Sequence, residues 1–446
     1  MKPLTEKKSN YHFKHIPALD GLRGFSILAL SLGHFMIAQN WLGEPLFQIL
    51  GGGWIFVDCF FVLSGFLVTS ILLETRERPG YFKKFYFRRQ LRIFPLYFFA
   101  IVTVFLVTVF IEGRKINFFS YDSLLWYLLY LPNLAMTLKG GWLDNSQLLG
   151  INHLWAVGVE EQFYLFWPLV VYFTPRKILL FLASGLLVLG TPIRYLTGYL
   201  AGDIWGLAAY LSPWSRVDAL AAGALIALLL RLDPEALSAA AKKWGKILYR
   251  VCGFCSLAFF GLLVWKIAVP FDSAWGMAAK IELWFWALYL GGFIYMGNWI
   301  RKNREREKFL PELFRESCKV IFGIMLLRIL FDLGYGAGHE KFTHAIFCFS
   351  SLIYLLATAK PGAGLNRFFE NKFLMHIGFF SYGIYLFHHM LRPIWARTFE
   401  KWFFIDAALN PFAAQTFYIL AVSLCTYLLA RLSWVIIERP FIRLKK

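Results

Sequence analysis

The stretch Leu19-Asp20-Gly21-Leu22-Arg23-Gly24-Phe25 runs through apolar residues to His34. Arg23 and His34 are eleven positions apart. In a helix that is about three turns, so both side chains project from one face, about 16 Å apart along the axis. Asp20 lies one turn before Arg23 on nearly the same face. One stripe therefore carries a carboxylate, a guanidinium and an imidazole. Ionisable groups inside an apolar span are costly and mark function. The plainer alternative is an Asp20–Arg23 pair capping the helix, with His34 hydrogen-bonded to a neighbour. A second constellation lies in Asn152-His153-Leu154-Trp155-Ala156-Val157-Gly158-Val159-Glu160-Glu161-Gln162-Phe163-Tyr164. Adjacent helical residues project about 100° apart, so Glu160 and Glu161 must serve different partners. Counted by helical rise from the outer end of each helix, Glu160 sits about 9 Å deep and His34 about 6 Å. The two are expected to meet, Glu160 ahead of Glu161, as a carboxylate orienting a general base.

Arginines form the third group, in Arg88-Arg89-Gln90-Leu91-Arg92-Ile93-Phe94-Pro95. Arg88 and Arg92, four apart, share a helical face, and guanidinium forks suit phosphates. Pro95 is expected in the first turn of the following span. Ser64, in Phe60-Phe61-Val62-Leu63-Ser64-Gly65-Phe66, has no base near it in sequence. It reads with Gly65 as a helix-packing position.

The elements that must hold these groups are set by composition. Of 446 residues, 59% are hydrophobic and 16% charged, far from the 45–50% and about 25% of soluble domains. The excess predicts an all-α polytopic membrane protein, because lipid forces every backbone polar group to pair internally. Continuous apolar runs, rather than short alternating segments, exclude a β-barrel. Twelve runs are legible: 18–38, 54–74, 93–111, 154–174, 177–191, 214–231, 248–268, 281–299, 318–334, 343–360, 373–391 and 414–437. The expectation is about 10–12 transmembrane helices, with 177–191 and 318–334 short enough to be half-spans.

Basic residues gather before residue 18, in 75–92, in 300–317 and at the C-terminus. With twelve spans these segments share one side, the cytoplasmic one, so both termini are expected there. The layout is a basic tail at 1–17, a transmembrane body at 18–437 and a basic C-terminus at 438–446. The net charge of +19 is thus topological, and nucleic acid is excluded as a partner. No cleavable signal, internal repeat or soluble domain is legible. The six cysteines form no disulfide framework. Cys252 and Cys255 read as residues of a lipid-buried helix, and no metal is expected.

Taken in order, these segments resemble the integral-membrane acyltransferase-3 family. The Arg23-to-His34 spacing is similar to its arginine, ten residues, histidine signature. Phe60 to Phe66, Arg88 to Pro95 and His153 to Pro168 are similar to its next three motifs. Ser381-Tyr382-Gly383-Ile384-Tyr385-Leu386-Phe387-His388 resembles its serine-tyrosine helix, and Ile437-Glu438-Arg439-Pro440-Phe441 its closing motif. Ala156 and Gly158 stand where the family usually has serines. The gap from Gly223 to Ser381 is long for a ten-helix core. The form implied is the one without a C-terminal hydrolase-like domain.

The resemblance implies an O-acyltransferase of the cell membrane that takes acyl-coenzyme A, usually acetyl, from the cytoplasm. The acceptor implied is a hydroxyl of a carbohydrate or lipid-linked envelope molecule. Arg88, Arg89 and Arg92 would meet the coenzyme's phosphates, with Arg23 along its arm. His34 would be the general base, and Glu160 or Glu161 would orient it. Asp20, Arg216 and Tyr385 would contact substrate, and Trp142, Asp144, Trp205 and Tyr210 would shape the acceptor site from the outer loops. A transporter or flippase accommodates buried charges equally well. It is disfavoured by the missing repeat and by phosphate-suited arginines beside a His–carboxylate site. A lipid-binding scaffold would have no use for His34.

Overall fold

The structure, a computed structural model, describes residues 15–36, 44–114, 120, 122–144, 146–202, 206–232, 247, 249–261, 264, 276–303, 309–335, 340–402 and 410–445. Among these residues there is no strand. The long helices are α1 (Pro17–Phe35), α2 (Phe56–Thr75), α3 (Tyr81–Leu106), α4 (Trp155–Phe173), α5 (Arg176–Leu200), α6 (Pro213–Leu229), α7 (Gly276–Asn303), α8 (Phe309–Tyr335) and α9 (Glu340–Thr358). Two short helices follow, α10 (Lys372–Phe379) and α11 (Ser381–Met390), and then α12 (Pro411–Ser433). Five helical stretches among the described residues are long and apolar enough to cross a membrane: Leu46–Thr75, Tyr81–Ile111, Arg176–Leu200, Lys341–Thr358 and Phe412–Ile442. The chain is an all-α polytopic membrane protein.

Several boundaries differ from the sequence reading. The supposed half-span 177–191 lies inside α5, a helix of 25 residues, and 318–334 lies inside α8, one of 27. Pro192 and Arg194 near the end of α5, and Glu312, Arg315 and Glu316 near the start of α8, hid their length from an apolar count. The run 373–391 is instead two helices that break at Phe380. Gly80, with φ of 77°, turns the chain so that α3 starts at Tyr81. The Arg88–Arg92 segment is therefore helix rather than loop, and Pro95 lies in the helix interior.

The site is held by close helix contacts. α2 packs most extensively on α6, and α1 packs on α10. A Cβ on Gly65 would sit 1.9 Å from the Leu220 carbonyl oxygen, and one on Gly223 would sit 2.0 Å from that of Val62. Only hydrogen at both positions lets α2 and α6 approach backbone to backbone, the contact mode of lipid-embedded helices. The same holds where α1 crosses α10, at Gly24 against Leu374.

Candidate functional site

A cavity of about 320 Å³ opens among α1, α2, α3, α4 and α11. Its polar wall is formed by Asp20 and Arg23 of α1, Ser64 of α2, Arg89 and Arg92 of α3, Glu160 of α4, and Tyr382 and Tyr385 of α11. Phe60, Leu67 and Ile71 line its apolar side. Three guanidiniums thus converge on one chamber from two helices. Arg89 is further fixed by its stack on Tyr164, with Cζ 3.5 Å from the ring centroid. Such a chamber suits a ligand with an anionic head and a slender apolar arm.

Arg88 departs from the expectation. It is exposed and does not line the cavity, which takes Arg89 and Arg92 instead. The three-residue spacing of that pair shares a helical face as well as the four-residue spacing does. Asp20 does not pair with Arg23. Its carboxylate lies 2.7 Å from His15 Nε2.

Glu160 is also corrected. It is joined to Ser64, whose hydroxyl donates to its Oε1 over 2.5 Å. No Glu160–His34 contact forms among the described residues. Ser64 therefore does have a carboxylate beside it, one that sequence proximity could not reveal. It also supplies Glu160 with a hydroxyl where the neighbouring Ala156 and Gly158 have none. Glu161 points elsewhere, as its 100° offset requires, and its Oε1 is buried without a hydrogen bond. Gln162 anchors the preceding loop, donating to the Tyr130 carbonyl and to Asn133 Oδ1, each at 2.9 Å.

His34 stands at the opposite end of α1 from Arg23 and meets α11. Its Nδ1 is 2.9 Å from His388 Nε2, and the two rings meet edge to edge, with centroids 5.1 Å apart and planes 24° apart. His389 and His153 complete a group of four imidazoles. Centroids lie 5.2 Å apart for His34–His389 and 4.8 Å for His153–His389. Tyr385 stands between the two features. It lines the cavity, and its ring is 5.2 Å from that of His153 and 5.7 Å from that of His388. The sequence reading passed over His388 and His389 because their helix is otherwise aromatic.

Arg216 does not reach the cavity. It is fully buried on α6, 3.0 Å from Asp58 of α2, among the rings of Phe61, Trp155, Tyr210 and Phe342. A second buried pair, Arg194–Asp218, joins α5 to α6 beside it. Tyr210, expected at the acceptor, is part of this packing. Asp144 is held by Arg114 at 3.1 Å, and Trp142 is exposed. Trp205 lies outside the described residues.

The acyltransferase-3 family model, described as an acyltransferase domain, matches residues 16–431. "Putative O-acetyltransferase SACOL0978" of Staphylococcus aureus strain COL is 23% identical over 441 residues, covering 96% of this chain and 57% of the relative. "O-acetyltransferase OatA" of Staphylococcus aureus strain NCTC 8325 is 29% identical over 238 residues, covering 51% of this chain and 37% of the relative. The chain thus spans a little over half the length of the first of these curated relatives. No solved structure matches. With a match running from the residue before α1 to the last turns of α12, the chain belongs to the acyltransferase-3 family.

Proposed function

We propose that the protein is a cell-membrane O-acyltransferase that moves an acyl group, acetyl in the first instance, from cytoplasmic acyl-coenzyme A to a hydroxyl of an envelope carbohydrate or lipid-linked acceptor. One observation carries this reading: a chamber walled by Arg23, Arg89 and Arg92 lies toward one end of α1, and a paired imidazole, His34, lies toward the other. With the N-terminus cytoplasmic, as the lysine and arginine distribution directs, the guanidiniums face the side where the donor resides. The phosphates would bind them, and the thin pantetheine arm would run along α1 toward His34, a distance of about 16 Å.

In the reaction His34 takes the acceptor hydroxyl proton as the oxygen attacks the thioester carbonyl carbon. The tetrahedral intermediate collapses, the C–S bond breaks, and the departing thiolate takes the proton from the imidazolium. The products are an ester and free coenzyme A. A neutral imidazole, with a lone pair on one ring nitrogen, suits this role. Ser64 and Glu160 lie in the donor chamber, where they contact the donor rather than orient the base.

Mass spectrometry of envelope glycans and lipid-linked precursors, with and without the gene, tests the assignment. An added mass of one acyl group, lost on deletion, is the expected result and names both acyl group and acceptor. Unchanged acylation, with an envelope precursor accumulating on the cytoplasmic side, would point to a transporter instead.

A further inference from the structure

The four imidazoles are not equivalent, and their hydrogen bonds set an order among them. His388 Nδ1 lies 2.6 Å from the Tyr385 carbonyl oxygen and 3.2 Å from that of Ile384. A carbonyl oxygen only accepts, so His388 Nδ1 must carry the proton. In a neutral imidazole the other nitrogen is then an acceptor. His388 Nε2 faces His34 Nδ1 at 2.9 Å, so His34 must donate there and hold its own proton on Nδ1. That leaves His34 Nε2 with the lone pair. Among the described residues this atom makes no hydrogen bond.

We infer that His388 is a positioning residue that fixes the basic tautomer of His34, passing the directionality of the α11 backbone carbonyls through its own ring. The inference rests on His34 acting as the general base. A base must present a lone pair, and an isolated imidazole in water favours the opposite tautomer, with the proton on Nε2. The second ring nitrogen of a catalytic histidine is ordinarily held by a carboxylate or a carbonyl. Here a second imidazole does that work, itself held by carbonyls. It also retains the hydrogen bond when His34 takes up a proton, because Nδ1–H remains the donor throughout. The relay is rigid because His388 is fully buried on α11 and its ring lies edge to edge with that of His34, the planes 24° apart.

The test compares His388→Gln, whose side-chain oxygen can accept from His34 Nδ1–H where Nε2 did, with His388→Leu, which cannot. Turnover and the Michaelis constant for acetyl-coenzyme A are measured on purified full-length protein in lipid nanodiscs. Nitrogen NMR of histidine-labelled protein reports the His34 tautomer. The expected result for His388→Leu is a turnover loss of about 100-fold or more, within the range ascribed to general-base help. The Michaelis constant should change less than about twofold, and the His34 signal should move toward the Nε2-protonated form. His388→Gln should stay within about tenfold of the parent and keep the Nδ1-protonated signal. If both variants fold but lose turnover equally, or if the tautomer is unchanged in the leucine variant, the relay is overturned. His34→Gln separates the two levels. If it is inactive while His388→Leu is fully active, the base stands and the relay falls. If it is active, the base itself falls.

Discussion

At the scale of single residues, the arginine assignments are the most directly separable. Arg23, Arg89 and Arg92 wall the chamber and Arg88 does not. A charge-assisted hydrogen bond contributes about 1.5–3 kcal/mol, which converts to roughly 10- to 150-fold in affinity. Arg89→Gln and Arg92→Gln should each raise the Michaelis constant for acetyl-coenzyme A by about that factor, and Arg88→Gln by less than about twofold. Initial-rate kinetics on the three variants decides it, and an Arg88 effect as large as the others would refute the chamber as the donor site. The sequence singled out Arg88, Arg89 and Arg92 together, and the cavity takes Arg89 and Arg92 but not Arg88. Helical phase is set by where α3 starts, and the apolar count took 75–92 for a loop. The pairing of His34 failed for a related reason. Residue counting from the apolar edge of each helix misplaced the depth: His153, seven residues before Glu160, joins the imidazole group of His34, and Glu160 falls farther along, beside the arginines. The true partner, His388, is 354 positions away, beyond the reach of any local pattern.

At the scale of elements, α2 and α6 are joined by glycine contacts and by the Arg216–Asp58 pair. Removing one member of a buried ion pair leaves a desolvated charge and typically costs about 3–5 kcal/mol, whereas replacing both with apolar residues is often neutral. Arg216→Met should therefore lower the yield of folded protein in detergent sharply. The double variant Arg216→Met with Asp58→Leu should recover both yield and activity, as read by size-exclusion profile and turnover. A double variant that folds but stays inactive would return Arg216 to the substrate site. These helices were largely legible in advance, because apolar runs mark each span wherever no charge interrupts it. The extra length of α5 and α8 was not, since their polar ends continue the helix beyond the apolar core. Neither was the break at Phe380, where two helices share one apolar run.

At the scale of the whole molecule, the fold keeps an anion-suited chamber and an imidazole group near opposite ends of one helix, with Tyr385 between them. This separation is what a reaction with a donor on one side of a membrane and an acceptor on the other requires. The proposed reaction carries the acyl group across this distance to an acceptor hydroxyl activated by His34. It is tested most directly in sealed vesicles of known orientation holding the protein and envelope acceptor, with radiolabelled acetyl-coenzyme A supplied only to the cytoplasmic face. Base-labile ester label on acceptor at the opposite face is the expected result for the parent protein. None is expected for His34→Gln, although that variant still binds coenzyme A. Ester formation by His34→Gln at the parental rate would rule out His34 as the base.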